Sequence, residues 1–169
     1  MKKIIISLGM LCALTAFAHA QDVTKAVAKL ESKSGSKVTG TVTFTKIGDE
    51  VQVVADIENL MPGKHGFHIH EKGDCSAADA SSAGGHFNPT HQHHGGPMTP
   101  EHHTGDLGNI EADSSGKAHF DWKGKMSLSG TDSIVGKSIV VHEKEDDLKT
   151  DPAGNSGARI GCGVIEAAK

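Results

Sequence analysis

Between Val38 and Thr45 the chain alternates, with Val38, Val42 and Phe44 on one parity and four threonines on the other. A period of two predicts a strand with one buried and one wet face. Gly48-Asp49 marks a turn. Beyond it, Val51, Val53, Ala55 and Ile57 share one side and Gln52, Asp56 and Glu58 lie largely opposite, which completes a β-hairpin. Met61-Pro62-Gly63-Lys64 punctuates the chain before a short strand, Gly66 to His70. From Cys75 to about Asp106 no apolar period survives, and a connection that long is far beyond the usual length of about 4–6 residues. Such a loop is disordered or organised by something other than a core, and its histidines point to metal. Alternation resumes with Ala118, Phe120 and Trp122, then Ile139 to His142. A second long loop, Glu143 to Ala158, precedes a last strand, Ile160 to Ile165. With no internal repeat and no long amphipathic helix, the short strands argue for an all-β sandwich or barrel.

The N-terminus follows another pattern. Lys2 and Lys3 form a positive head, Ile4 to Phe17 is almost unbroken apolar sequence, and Ala18-His19-Ala20 supplies small residues for cleavage. This is the layout of a secretory signal peptide, and the run is short for a membrane span. The expected organisation is therefore a signal peptide at 1–20 and one mature domain at 21–169, soluble and not held in a membrane. Losing Lys2 and Lys3 takes the formal net charge from −4 to −6. An acidic chain without a basic patch is a poor nucleic-acid binder. Cys12 leaves with the peptide, and in an exported protein the remaining pair, Cys75 and Cys162, fits a disulfide better than a metal site. Closing a loop of that length stabilises by about 4–5 kcal/mol in the chain-entropy model.

The chain has 12 histidines, and their placement carries more than their number. His68 and His70 stand one residue apart on a strand, so both imidazoles leave the same face about 6.5–7 Å apart while Phe67 and Ile69 point to the core. Two such nitrogens can share a cation, although this spacing also recurs by chance on exposed strands. In the long loop, His86, His94, His103 and Asp106 offer three imidazoles and a carboxylate, which suits tetrahedral zinc. The absence of thiolates among them fits an oxidising compartment. His142 ends an apolar strand, where a histidine standing alone is by default a hydrogen-bonded core residue.

Six motifs occur in order: Gly66-Phe67-His68-Ile69-His70-Glu71, Gly84-Gly85-His86-Phe87-Asn88-Pro89, His94-Gly95-Gly96-Pro97, His103-Thr104-Gly105-Asp106-Leu107-Gly108-Asn109, Val140-Val141-His142-Glu143-Lys144 and Gly157-Ala158-Arg159-Ile160-Gly161-Cys162-Gly163. Together they resemble the copper-zinc superoxide dismutase family, in its bacterial, exported form, across essentially the whole mature chain. The resemblance implies a flattened eight-stranded Greek-key β-barrel, an immunoglobulin-like sandwich with two long functional loops. It implies one copper ion held by His68, His70, His86 and His142, and one zinc ion held by His86, His94, His103 and Asp106, with His86 as the bridge. It further implies a Cys75–Cys162 disulfide, Arg159 as the guanidinium that orients the substrate, and Asp146 as an outer carboxylate linking His70 or His68 to a zinc histidine. The implied reaction turns two superoxide anions and two protons into oxygen and hydrogen peroxide by Cu(II)/Cu(I) cycling, with His86 carrying a proton, in the periplasm.

Two other readings compete. An exported copper- or zinc-binding protein without turnover predicts an incomplete or exposed ligand set, whereas both sets here are complete and Arg159 has no purpose in storage. A secreted zinc hydrolase needs an open zinc position. His65, His91, His93, His102 and His119 have no assigned ligand role, and His93 or His102 competes with its neighbour for the ligand register. His94 and His103 are chosen because they keep the spacing to Gly95-Gly96-Pro97 and to Gly105-Asp106. The second loop is shorter than in eukaryotic-type members, with Pro152-Ala153 where those often carry a lysine and a threonine. Steering then rests on Arg159 with Lys72, Lys144 or Lys149, whose alternative is ordinary solvated surface. Lys72 also occupies a position often apolar in dimeric members, which leaves a homodimer open.

Overall fold

The computed structural model describes residues 22–168; the signal peptide expected at 1–20 lies outside the described residues. The predicted hairpin is β2 (Thr39–Ile47) paired with β3 (Glu50–Glu58), in register from Thr39 opposite Glu58 to Ile47 opposite Glu50. Its two-residue turn is Gly48-Asp49, and Gly48 takes the positive φ (62°) that such a turn demands. The alternation reads as expected: Val42, Phe44, Val51, Val53, Ala55 and Ile57 are buried, and the intervening side chains are half-buried or exposed.

The other strands are β1 (Lys25–Ser32), β4 (Gly63–His70), β5 (Asp106–Ala112), β6 (Ala118–Gly124), β7 (Ser138–His142), β8 (Arg159–Val164) and β9 (Glu166–Ala167). All pairings are antiparallel, in the order β2-β3-β6-β5-β4-β7-β8-β1, and β1 pairs back onto β2. That contact closes an eight-stranded barrel, and β9 adds a short extra strand against β1. The β3–β6 and β4–β7 pairings join strands that are not consecutive, which makes the topology a Greek key. Helix among the described residues is confined to one 3-10 turn, Ser81–Ala83.

Two strands escape the alternation reading. In β1 the buried parity is Ala26, Ala28 and Leu30, and two alanines give a weak apolar signal. In β5 both Leu107 and Ile110 are buried although they lie on opposite parities. The β4–β5 ladder shifts register between Gly66 and His68, and such a bulge moves one segment onto the other face.

The core packs Phe44, Phe67, Ile69, Leu107, Ile110 and Ile139 inside the barrel, with Phe67 meeting Phe120 edge-to-face at 5.3 Å. His68 and His70 leave β4 on the outer face and are nevertheless fully buried, because the long loops cover that wall. The first loop is clipped to β4 at both ends. Phe87 N–H donates to Ile69 O, and Ile69 N–H to Gly105 O, each at 2.8 Å. A side chain at residue 105 would collide with the Ile69 carbonyl, so glycine is required there. The Cys75–Cys162 disulfide ties the same loop to β8.

Candidate metal centre

Strand alternation aims His68 and His70 off one face of β4, and β4–β7 pairing brings His142 beside them. A single bridge between His70 and His86 draws the loop histidine in. One nitrogen from each of these four residues lies within 4.8 Å of the others. The His70 and His142 Nε2 atoms are 3.4 Å apart, and the His68 and His86 rings are centred 4.1 Å apart. The remaining nitrogens of the strand histidines are engaged outward: His68 Nε2 donates to Asp146 Oδ2 (2.7 Å), His70 Nδ1 to Gly84 O (2.9 Å) and His142 Nδ1 to Gly157 O (3.2 Å). Outer bonds of this kind fix the tautomer and leave the inward nitrogen as a lone pair. Burial, then the neighbouring imidazoles, push His86 down to about 4 and His142 to about 3, and burial also holds His70 well below its ordinary range. His70, His86 and His142 are therefore neutral and ready to ligate at ordinary pH.

The second set forms around a carboxylate. Asp106 Oδ1 lies 2.7 Å from His86 Nδ1, 3.1 Å from His94 Nδ1 and 3.2 Å from His103 Nδ1. Its Oδ2 accepts the backbone N–H groups of Gly95 (3.1 Å) and His103 (2.9 Å), which turns the other oxygen inward. Burial opposes ionisation of Asp106, but hydrogen bonds from His103, His86 and His94 outweigh it and hold the carboxyl far below its usual range. Burial likewise opposes a charge on His94, yet Asp106 and Asp146 together raise it to about 10.

His86 belongs to both sets. With Nδ1 committed to the Asp106 side, Nε2 is left for the His68, His70 and His142 side. Three buried side-chain nitrogens lack a well-directed hydrogen bond among the described residues: His68 Nδ1, His86 Nε2 and His94 Nδ1, the last only in close ionic contact with Asp106 Oδ1 at 3.1 Å. All three belong to the two donor sets, and a buried polar atom without a partner is costly unless something coordinates it. The donors fit the two ions: four imidazoles for copper, three imidazoles and a carboxylate for zinc.

Asp146 links the sets from outside. It accepts from His68 at Oδ2 and from His94 at Oδ1 (2.9 Å), so its partner in the four-histidine set is His68 rather than His70. Burial raises its pKa, but those two histidines outweigh this and keep it an anion. Its backbone is clasped by the Asn109 amide, which donates to Asp146 O (2.9 Å) and accepts from Asp146 N–H (2.7 Å). In the sequence Asn109 stands out only as part of a motif, because a backbone clasp across the fold has no local pattern. Gly154, at φ 61°, packs so tightly on Asp146 Oδ1 that a Cβ would collide with it.

The Arg159 guanidinium donates to Ala80 O and Gly84 O, each at 2.7 Å. Gly84 O also receives His70 Nδ1, so the cation and a member of the four-histidine set share one acceptor. Arg159 lines an open pocket of about 340 Å³ with Ser34, Asp79, Ser81, Gly157 and Ala158. Lys72, Lys144 and Lys149 are exposed and none lines this pocket.

The remaining histidines stand outside both sets. His65 spans His142 O (Nδ1, 2.9 Å) and Met61 O (Nε2, 2.8 Å) beneath the copper side. His93 meets Asp151, His102 meets Thr99 O and His119 meets Asp56, while His91 is exposed. His94 and His103, not His93 and His102, turn inward.

A family model described as copper/zinc superoxide dismutase matches residues 38–165. The chain belongs to the copper/zinc superoxide dismutase family. It is 40% identical to the extracellular superoxide dismutase [Cu-Zn] of Drosophila melanogaster over 98% of both chains. It is 41% identical to the superoxide dismutase [Cu-Zn] of Paramecium bursaria Chlorella virus 1, over 98% of this chain and 92% of that one. The crystal structure of the clock protein EA4 superposes with a TM-score of 0.82 at 39% identity, covering 90% of this chain and 99% of that one. Membership of the copper/zinc superoxide dismutases makes the chain an enzyme that acts on superoxide, with one copper and one zinc ion per subunit. A copper- or zinc-carrying role without turnover is the weaker reading. Extracellular relatives fit a secreted protein, and among the described residues no helix is long and apolar enough to cross a membrane.

Proposed function

We propose that His68, His70, His86 and His142 hold the copper ion, that His86, His94, His103 and Asp106 hold the zinc ion, and that Arg159 receives the substrate. The reaction balances as two superoxide anions and two protons giving one oxygen and one hydrogen peroxide: one anion gives up an electron and the other gains it with the protons. Bound copper supplies the reversible one-electron chemistry, which zinc with its single valence does not.

The rest falls to the chain. The half-buried guanidinium of Arg159 is held rigid by two carbonyls, so it offers a fixed positive charge to a small anion beside the copper-side histidines. Preorganised charge of this kind binds and orients without reorganising during the reaction. His86 Nε2 is the atom at which a proton is held for delivery, while Nδ1 stays with the Asp106 side. Asp146 fixes His68 and His94 together, so neither ring can turn without disturbing the other set.

The observation that carries this reading is the membership of His86 in both donor sets. Metal analysis of the purified protein together with a superoxide decay assay tests it. One copper and one zinc per chain with fast decay is the expected result, and a single ion with no decay sinks it.

We also propose that residues 1–20 are a cleaved signal peptide and that the enzyme works in the periplasm. The charged head, apolar run and Ala18-His19-Ala20 support export, and the all-histidine and carboxylate donors suit an oxidising compartment. The mass of the exported protein should correspond to a chain that starts at Gln21, and an intact Met1 would contradict this.

A further inference from the structure

The histidines of the zinc-side loop that join neither donor set are not all idle. His93 Nδ1 donates to Asp151 Oδ2 at 2.7 Å, and the backbone N–H of the next residue, His94, donates to Asp151 Oδ1 at 2.8 Å. One carboxylate, projecting from the second long loop, thus grips two consecutive residues of the first. We propose that Asp151 is a positioning residue that keeps the zinc-side loop closed and so governs how quickly zinc leaves. This rests on the zinc assignment given above.

The His94 ring is already directed by Asp146 and Asp106, but ring contacts do not hold the loop backbone. Around it, Asn88 and Gln92 bond only to each other and to their neighbours within the same loop. Asp151 is the residue that ties the His94 backbone to the second loop, and its own segment is braced by Gly154 N–H on Thr150 O (2.7 Å) and by Asp147 on the Thr150 N–H (2.8 Å). His94, His103 and Asp106 are all buried, so a competing chelator reaches zinc only after the loop opens locally. The bond that resists this opening is charge-assisted, but half of the Asp151 side chain and most of His93 face solvent, which weakens the ring contact more than the backbone bond.

The test is zinc release from the metal-loaded protein into excess chromogenic chelator. D151A should release zinc about tenfold faster than the parent. D151N, which keeps an oxygen for the His94 N–H but loses the charge, should release it about threefold faster, and H93A about twofold faster. D56A is the control, since Asp56 makes the same 2.7 Å contact with His119 on the outer barrel wall, and it should release zinc at the parental rate. Parental release from D151A overturns the proposal, and so does equal acceleration in D56A. If D151A fails to fold, D151N decides, with a parental rate again overturning it. A parent that holds no zinc at all would instead remove the zinc assignment, which separates the two failures.

Discussion

The two donor sets share a histidine but are built on opposite plans. The proposed copper side takes three of its four residues from strands, His68 and His70 on β4 and His142 on β7. Its positions are set by barrel pairing, and it holds no carboxylate. The proposed zinc side takes His86, His94 and His103 from a long loop whose only helix is one 3-10 turn, with Asp106 at the start of β5. Here a carboxylate organises the histidines, and carboxylates beyond it, Asp146 and Asp151, hold the loop in place. A redox ligand set benefits from a frame that does not move, because strands locked into a barrel resist local opening. A structural ion can instead help to order a segment that has no core of its own.

The largest expected effect separates the two plans. His142→Ala removes a strand histidine that touches only the copper side, so dismutation should fall by more than about a hundredfold while one zinc per chain remains, since losing a ligand exceeds the outer-partner loss of about 10–100-fold. Loss of zinc as well would mean that the two sides are not separable. Next, Asp146→Asn weakens the bridge on both sides, and zinc affinity together with dismutation should drop by about 10–100-fold. Equilibrium metal titration checks this, and an effect confined to copper would show that His94 does not depend on the bridge.

Arg159→Gln tests the part that both plans serve. Dismutation should slow by about tenfold and lose most of its dependence on ionic strength, because a fixed cation speeds the approach of an anion. An unchanged salt profile would remove Arg159 from that role.

The smallest effect is on stability after both metals are stripped, and its sign differs between the sides. His86 and His142 have folded values of about 4 and about 3, below the ordinary histidine value of about 6.5. The unfolded chain therefore takes up protons that the folded one refuses, and this contribution is lost as pH falls from about 6.5 toward about 3. His94 is raised to about 10, so its stabilisation is present below about 6.5 and is lost as pH rises toward about 10. The melting temperature of the stripped protein should thus peak near neutrality. His142→Gln should flatten the acid flank and His94→Gln the alkaline one, while a monotonic profile would deny the difference between the sides.

Alternation made the β2–β3 hairpin readable because its buried parity is Val, Phe and Ile. It hid β1, whose buried parity rests on Ala26 and Ala28, and β5, whose bulge puts Leu107 and Ile110 on the same side. Spacing alone put His68 and His70 on one face. Motif spacing favours His94 over His93 and His103 over His102, and in the fold the inward turn of those two rings accompanies the Asp106 contacts.

What the sequence determined by itself is therefore local: period-two strands, a loop with no core pattern but many donors, a pair of cysteines and the ordered motifs. These are readable because side-chain direction along a strand and donor chemistry depend on neighbours in the chain. Only the tertiary structure decided how the outer contacts are arranged: Asp146 spanning His94 and His68, rather than His70, Asn109 clasping Asp146, and Asp151 gripping the His93-His94 segment. Each joins residues tens of positions apart, and no local periodicity encodes a contact that arises only when the barrel closes and two loops fold over one wall.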